Sequence, residues 1–450
     1  MSIKILDAVT AVILHQGRLL MVQRQPHLKS FAGYYAFPGG KVDAEDATAP
    51  APQIRVEGLA AVIVTALIRE VREEVSLDLA ALHAEGAVLA THLLGEATTP
   101  AMGHARFRTH FVRVDLARAP ALTPELGEIA LAEWATPADW LARYASGGLL
   151  LAPPTLDAIA ALAQNPEVTR LANFDDELLT GTQESLRSIE PLEGLHQILV
   201  PSNTLPPAMH TNAWLIGDSY RVLIDPSPAN RTELTRLMAL IDRFGIDEIL
   251  LSHHHPDHRQ FANELATHYG VPLAMSADTR KRIEAKQPGW FGELVLRIYE
   301  EGDVVTRWLG QPVRVVCVPG HDEGQLGLMP DSKAWFLVGD LIQGIGTVVI
   351  SKPEGHMGRY FASLERVIAL DPAVILPSHG QATGSTQRLK EVLKHRQLRE
   401  ASILALHRAG KTPEQMLPLL YAEIDPRLLP LAARNIEAHL EKLEEEGLLA

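Results

Sequence analysis

The sequence reads as an α/β protein of several domains. Its 450 residues are enough for two to four of them. Short β-rich runs alternate with helix-period segments through the first third and again through the middle of the chain. After residue 386 the pattern turns wholly helical. Hydrophobic residues make up 46% and charged residues 21%, an ordinary globular balance. The net charge of −14 disfavours a surface coated for duplex DNA. One cysteine, Cys317, excludes an intrachain disulfide and suits a reducing compartment. The start, "MSIKILDAVTAVILHQG", lacks a clear cleavage site. The longest apolar run, Leu59 to Ile68, is about half of a membrane span. The expectation is a soluble, cytoplasmic protein.

The elements follow in order. Strand-like "AVTAVILHQGRLLMVQR" opens a first domain, 1–165. A helix is predicted over 59–75, then strand-like "FRTHFVRVDL" and helical "TPADWLARYASGG". Residues 166–195 are polar and weakly periodic and read as a linker. Over 196–385, "AWLIG", "YRVLID", "EILLSH", "VRVVCVPGH", "AWFLVGD" and "AVILPSHG" are β-rich and alternate with helical stretches. Residues 386–450 form a helical extension.

The stretch "LSHHHPDHRQ" sets His253, His254, His255 and His258 around Asp257, just after the strand-like "DEILLS". In extended backbone His253 and His255 project to the same side. Past the strand, Asp257 and His258 can turn towards a second point. Imidazole nitrogens and a carboxylate suit zinc and similar ions. Two histidines in a loop prove nothing alone, but three later positions join them. His321 in "VPGHDEG", Asp340 in "FLVGD" and His379 in "ILPSHG" each follow an apolar run. Ligands of an open α/β sheet gather at the carboxyl ends of its strands. Seven donors make two sites if Asp340 is shared.

This ordered set, HxHxDH then Gly-His, Gly-Asp and Ser-His-Gly, resembles the metallo-β-lactamase superfamily over about 190 residues. By that resemblance His253, His255 and His321 hold one metal; Asp257, His258 and His379 hold a second; Asp340 bridges. The implied cofactors are two Zn²⁺, or Mn²⁺ or Fe²⁺. Together they would turn a bridging water into hydroxide near neutral pH. His254 takes no ligand role. Asp225 in "VLIDPSP" either supports the site or simply turns the chain. Cys317 reads as a small buried hydrophobe. The short Asp340 to His379 spacing leaves no room for a large nucleic-acid-processing insertion. The tail resembles the extension of the β-lactamase-like 2 branch, near glyoxalase II. It reads as a cap on the core, with RNA contact as the alternative.

A second constellation lies upstream. "FPGGKVDAED" precedes "LIREVREEVSLDL", where Glu70, Glu73 and Glu74 stand at i, i+3 and i+4. Clustered carboxylates suit Mg²⁺ or Mn²⁺. The run Arg69-Glu70-Val71-Arg72-Glu73-Glu74 resembles the core of the Nudix box. By that resemblance the three glutamates bind metal and Arg69 orients them. The box is interrupted: Gly40 to Arg69 spans 29 positions, the upstream glutamate falls on Ala61, and the later glycine is Ser76. The coenzyme A diphosphatase-like branch also interrupts its box. Glu125 and Glu128 are candidates for an extra carboxylate or belong to a solvated loop.

The expected architecture is therefore a Nudix α/β/α sandwich, a metallo-β-lactamase αβ/βα sandwich and a winged-helix-like tail. The expected function is a bifunctional metallohydrolase. One site would cleave an ester, thioester or phosphodiester, the other a nucleoside-diphosphate-linked compound, with Asp257, Glu70 and Glu73 acting in the chemistry. The alternatives are a mononuclear-iron persulfide dioxygenase, a single-strand endoribonuclease, and a Nudix domain that only senses a nucleotide. Small-molecule substrates are expected and a membrane is not. Single-stranded RNA and a homodimer stay open.

Overall fold

A computed structural model describes residues 5–99, 106–171, 185–344 and 347–449. The chain forms two compact units, Met1–Ile198 and Leu199–Ala450. No helix among the described residues is long and apolar enough to cross a membrane.

The first unit is built on one seven-stranded sheet: β1 (Ile5–His15), β2 (Arg18–Arg24), β3 (Tyr35–Ala36), β4 (Gly39–Lys41), β5 (Val88–Thr98), β6 (Arg106–Leu116) and β7 (Ile129–Ala135). The path is β3-β2-β1-β6-β5, with β4 paired to β1 and β7 to β2. β1 and β6 run parallel and the other pairs antiparallel. Because strand side chains alternate, β1 feeds two cores. Val9, Ala11 and Ile13 pack with Val64, Leu67 and Val71 of the helix Ala61–Val75. Val12 and Leu14 pack with Trp140, Ala158 and Ile159 of the helices Pro137–Ala145 and Pro153–Gln164. Burial on both faces explains why β1 reads as an almost unbroken apolar run. Of the stretch read as linker, 172–184 lie outside the described residues. Beyond them β8 (Ser188–Leu192) pairs antiparallel with β9 (Leu195–Pro201), and Ile189 and Leu192 are buried.

In the second unit, β10 (His210–Ile216), β11 (Val222–Ile224), β12 (Glu248–Leu250), β13 (Leu273–Met275) and β14 (Leu296–Ile298) pair in that order. A second sheet orders β15 (Val304–Trp308), β16 (Gln311–Cys317), β17 (Leu326–Pro330), β18 (Phe336–Gly339) and β19 (Ile375–Pro377). The helix Met357–Leu370 covers this sheet through Tyr360, Leu364 and Val367. Helices Gln387–Arg408, Pro413–Leu420 and Leu429–Glu445 form the C-terminal part, with their own small core of Ile403, Met416, Ile436 and Leu443. The result is a mixed α/β chain that carries two sandwiches and a small helical C-terminal region.

Candidate metal centres

Four strand ends supply the histidine-rich site. Asp225 directly follows β11, His253 lies just past β12, Asp340 directly follows β18, and His379 lies two residues past β19. His321 comes from the loop after β16. Polar groups here are deeply buried: His253, His258 and His379 are 0% exposed. Unpartnered, such burial would be costly, so the partners matter.

The outer nitrogens of four rings are already committed. Asp225 accepts from the Ser252 amide at 2.7 Å and the Ser252 hydroxyl at 2.6 Å. That hydroxyl has spent its proton, so His253 Nδ1–H donates to it, at 3.0 Å. His258 Nδ1 donates to Asp225 Oδ2 at 2.9 Å, His321 Nδ1 to the Val349 carbonyl at 2.9 Å, and His379 Nδ1 to the His210 carbonyl at 2.9 Å. Each ring is thereby fixed with Nε2 turned inward as the nitrogen left to ligate a metal. Asp225 thus supports two of the rings, and its left-handed φ of 51° also turns the chain.

The bare nitrogens converge. His253 Nε2 and His321 Nε2 lie 2.9 and 3.0 Å from His255 Nδ1. One imidazole nitrogen can donate to only one of them, so lone pairs face one another. On the other side, His379 Nε2 is 3.6 Å from Asp257 Oδ2 and 3.5 Å from Asp340 Oδ1. Asp340 Oδ2 is 3.7 Å from both His258 Nε2 and His321 Nε2. His258 Nε2, His379 Nε2 and Asp340 Oδ1 are buried without a hydrogen-bond partner. These gaps are too long for hydrogen bonds, but donors about 2.0–2.2 Å from one ion stand about 3.3–3.6 Å apart. His253, His255 and His321 form one group able to hold an ion, and Asp257, His258 and His379 another. Asp340 joins His253 and His258 in a third. The donor set fits two cations with Asp340 between them.

Electrostatics agree with this. Burial and the neighbouring rings hold His253 well below the usual imidazole range, and burial with His255 brings His321 down to about 4. Both rings are neutral donors at pH 7. Burial also lowers His258, but Asp340, Asp257 and Asp225 outweigh it and raise the group well above its usual value. Carboxylates crowd this ring so closely that some positive charge is favoured there. Despite burial, His379, His258 and His321 hold the Asp340 carboxyl far below the usual range.

Some partners had no sequence signal. His254 is buried and engages Asp322 through Nδ1; its Nε2 lies 3.2 Å from Glu354 Oε1 and 3.0 Å from Lys286 Nζ. Together with His255 and Asp322 it forms a further donor group. Asp322 follows His321 directly and was visible as a neighbour, whereas Glu354 and Lys286 lie outside every motif. Cys317 is half-buried, and burial pushes its thiol up to about 11, so it is a poor nucleophile.

In the first unit the carboxylates are less closely gathered. Glu70 and Glu74 lie on the buried edge of the helix Ala61–Val75, whereas the Glu73 side chain is 53% exposed. Arg69 Nη1 donates to Glu70 at 2.8 Å and to Glu73 at 3.0 Å, bridging the two. Glu74 accepts from the Gly39 amide at 2.8 Å, and burial pushes its carboxyl up to about 8. Burial likewise raises Glu70, against the pull of Arg69. A Cβ at Gly40 would come within 2.5 Å of the Glu70 carboxyl, so a larger residue there would push that carboxyl aside. Ser76 ends the helix at a left-handed φ of 57°, the geometry a glycine adopts without strain. Glu125 is spent on the amides of Gly127 and Glu128, both at 2.9 Å. Glu128 is the one whose charge reaches Glu70 and Glu74.

Ala61, the position counted back from Arg69, carries no acid, but an acid from elsewhere in the chain reaches Arg69. Arg69 makes a two-pronged pair with Asp46, Nε to Oδ1 at 2.8 Å and Nη2 to Oδ2 at 2.9 Å. Asp46 stands six positions after Gly40, so the insertion falls between Asp46 and Arg69 rather than before the acid. Counting forward from Gly40, rather than back from Arg69, would have found it. The Arg69 guanidinium holds the Asp46 carboxyl below the usual carboxylate range. Asp46→Asn is therefore expected to weaken Mg²⁺ binding to the first unit roughly 10–100-fold by releasing Arg69, measured by calorimetric titration.

Fold and sites together define a metal-dependent hydrolase. Residues 206–379 match the metallo-β-lactamase superfamily, 412–450 the β-lactamase associated winged helix domain, and 4–148 the NUDIX domain. The chain belongs to the metallo-β-lactamase superfamily and carries an N-terminal Nudix domain. It is 30% identical over 254 residues to the beta-lactamase-like protein 2 homolog of Drosophila melanogaster, covering 53% of this chain and 84% of that protein. The homolog in Caenorhabditis elegans is 24% identical over 282 residues, covering 59% and 90%. Hydroxyacylglutathione hydrolase of Brucella anthropi is 31% identical over 178 residues, covering 37% of this chain and 64% of that enzyme, less than two thirds of its length.

Proposed function

We propose that the second unit is a dinuclear hydrolase acting on a thioester, and that the Nudix domain cleaves a nucleoside-diphosphate-linked compound, a coenzyme A derivative first among them. One observation carries the first half. Asp340 stands between two sets of converging lone pairs, and its own Oδ1, His258 Nε2 and His379 Nε2 are buried without a hydrogen-bond partner. In this reading His253, His255 and His321 hold one ion, Asp257, His258 and His379 the other, and Asp340 both. Two ions so held would acidify a water and polarise the scissile carbonyl. The chain's own work is positional. Asp225, Val349 and His210 keep the rings aimed, and the buried walls exclude competing water. The likeness to hydroxyacylglutathione hydrolase supports the thioester. A complete set of seven donors favours two ions over a mononuclear iron oxygenase. In the first unit Glu70, Glu73 and Glu74 would bind Mg²⁺ or Mn²⁺. The paired Arg69 and Asp46 support a working site over a sensing module, whose sole support was the missing acid. A cytoplasmic setting belongs to the same reading and rests on the single cysteine.

The test is a substrate panel with metal content measured on the same sample. Purified protein loaded with Zn²⁺, Mn²⁺ or Fe²⁺ is offered thioesters, phosphodiesters, single-stranded RNA and diphosphate-linked nucleotides. Thioester turnover with two ions per second unit is expected. RNA cleavage without thioester turnover would replace this reading.

A further inference from the structure

The segment 348–356 touches the site on one side and the C-terminal helices on the other. On the inner side the Val349 carbonyl accepts from His321 Nδ1 at 2.9 Å. Five residues on, Glu354 Oε1 lies 3.2 Å from His254 Nε2, and its Oε2 lies 3.6 Å from His255 Nε2. This one segment thus orients His321 by a hydrogen bond and sets a carboxylate beside His255. On the outer side the Ile350 amide donates to Asn435 Oδ1 at 3.0 Å, and Arg396 donates to the Val348 carbonyl. Arg396 Nη1 also lies 3.3 Å from Asn435 Oδ1. Lys352 pairs with Glu441, and His356 Nε2 with Glu445 at 3.1 Å. Asn435, Glu441 and Glu445 all lie on the helix Leu429–Glu445, and Arg396 on Gln387–Arg408.

The pattern along the segment is alternate. Val348 and Ile350 give their backbone groups to the tail, and Val349, between them, gives its carbonyl to the site. The Val349 carbonyl and the Ile350 amide belong to one planar trans peptide, so they point in opposite directions and fixing the amide fixes the carbonyl. Asn435 and Arg396 are buried, 6% and 2% exposed. A buried amide oxygen that accepts from both a backbone N–H and a guanidinium is a specific device. A cap that only covered apolar surface would need neither.

We propose that the C-terminal helical region is a positioning element for the first metal triad, acting through residues 348–356, with Asn435 as its key positioning residue. The proposal rests on the reading that His253, His255 and His321 hold an ion. It assigns the tail a role in the metal site itself, beyond covering the core. Removing the Asn435 acceptor frees the Ile350 amide, lets the Val349 carbonyl swing, and leaves His321 without its fixed tautomer and angle. Outer-shell partners of metal-bound histidines typically set 10–100-fold in affinity. Asn435 acts one step further out, so the lower end is expected.

The test uses the full chain and Co²⁺ alone as the probe, with Mg²⁺ in excess to keep the carboxylate site out of the titration. Wild type should take up two Co²⁺ ions with a stable visible spectrum. Asn435→Leu, close in volume but without the acceptor, should bind one ion as before and the other about tenfold more weakly, with an altered spectrum. Asn435→Asp, which keeps an oxygen for both donors, should restore affinity and spectrum, a rescue that a merely space-filling role does not predict. Melting curves establish that each variant is folded, and Asn435→Ala is read in the same way if the leucine variant is not. Wild type binding fewer than two ions overturns the dinuclear reading and this proposal with it. Wild type binding two, with a folded Asn435→Leu or Asn435→Ala binding two equally tightly, overturns the role of Asn435 alone.

Discussion

Replacing Asp340 by alanine is expected to strip the second unit of both ions and to lower its hydrolysis by at least about a thousandfold, close to 4 kcal/mol of transition-state stabilisation. The size follows from where the carboxylate stands. Its Oδ1 lies 3.5 Å from His379 Nε2, and its Oδ2 lies 3.7 Å from both His258 and His321. It is the acid that faces histidines of both triads. Without it each triad loses a shared anionic donor, and the two ions lose the charge that offsets their repulsion. The fold should survive, because the Asp340 amide stays tied to Gln325 Oε1 at 3.1 Å, and apart from the histidines its carboxylate meets only Gln343 Nε2, at 3.5 Å. Elemental analysis after reconstitution, with circular dichroism on the same sample, checks both halves. Two ions retained by a folded Asp340→Ala would remove Asp340 from the bridging role.

The second large effect is a double dissociation. Glu73→Gln is expected to abolish diphosphate hydrolysis by the first unit and leave thioester hydrolysis by the second intact. Asp257→Ala should do the reverse, since its carboxylate faces His379 and His258 at 3.6 and 3.9 Å. The two sites draw on different donors, all-carboxylate in one unit and imidazole-rich in the other, and each unit has its own cores. Glu73 is half exposed, so the change costs little packing. Assays of both activities under saturating substrate decide it. Loss of both activities in Glu73→Gln would mean that the units are coupled.

Much of this was legible because metal chemistry leaves dense local signatures. His253, His255, Asp257 and His258 lie within six positions, and His321, Asp340 and His379 each follow an apolar run that becomes a strand. The strand ends do the gathering, so reading strands was enough to expect these residues in one place. The short strands β13, β14 and β17 were harder. Three to five residues of buried backbone carry too little periodicity to separate from a buried helix turn. Asp46 was not singled out, for a different reason. Motif spacing assumes an uninterrupted chain, and here the acid and the arginine are brought together across 23 positions by the sheet and helix packing. Glu354 and Lys286 were invisible for want of any local pattern. They meet His254 only because two separate loops and the end of the helix Ala277–Lys286 converge there.

The committed Nδ1 atoms have a consequence for assembly. Because Asp225, Val349 and His210 fix four rings before any ion arrives, loading requires no refolding around the ligands and only small shifts of the remaining donors. The protein then differs from small zinc domains, in which binding and folding are one event. Chelation should leave an intact, empty shell rather than an unfolded chain, and the ions would add stability by mass action in proportion to their free concentration. Occupancy can then rise and fall with supply while the polypeptide persists, so the quantity of protein and the quantity of active enzyme become separate variables.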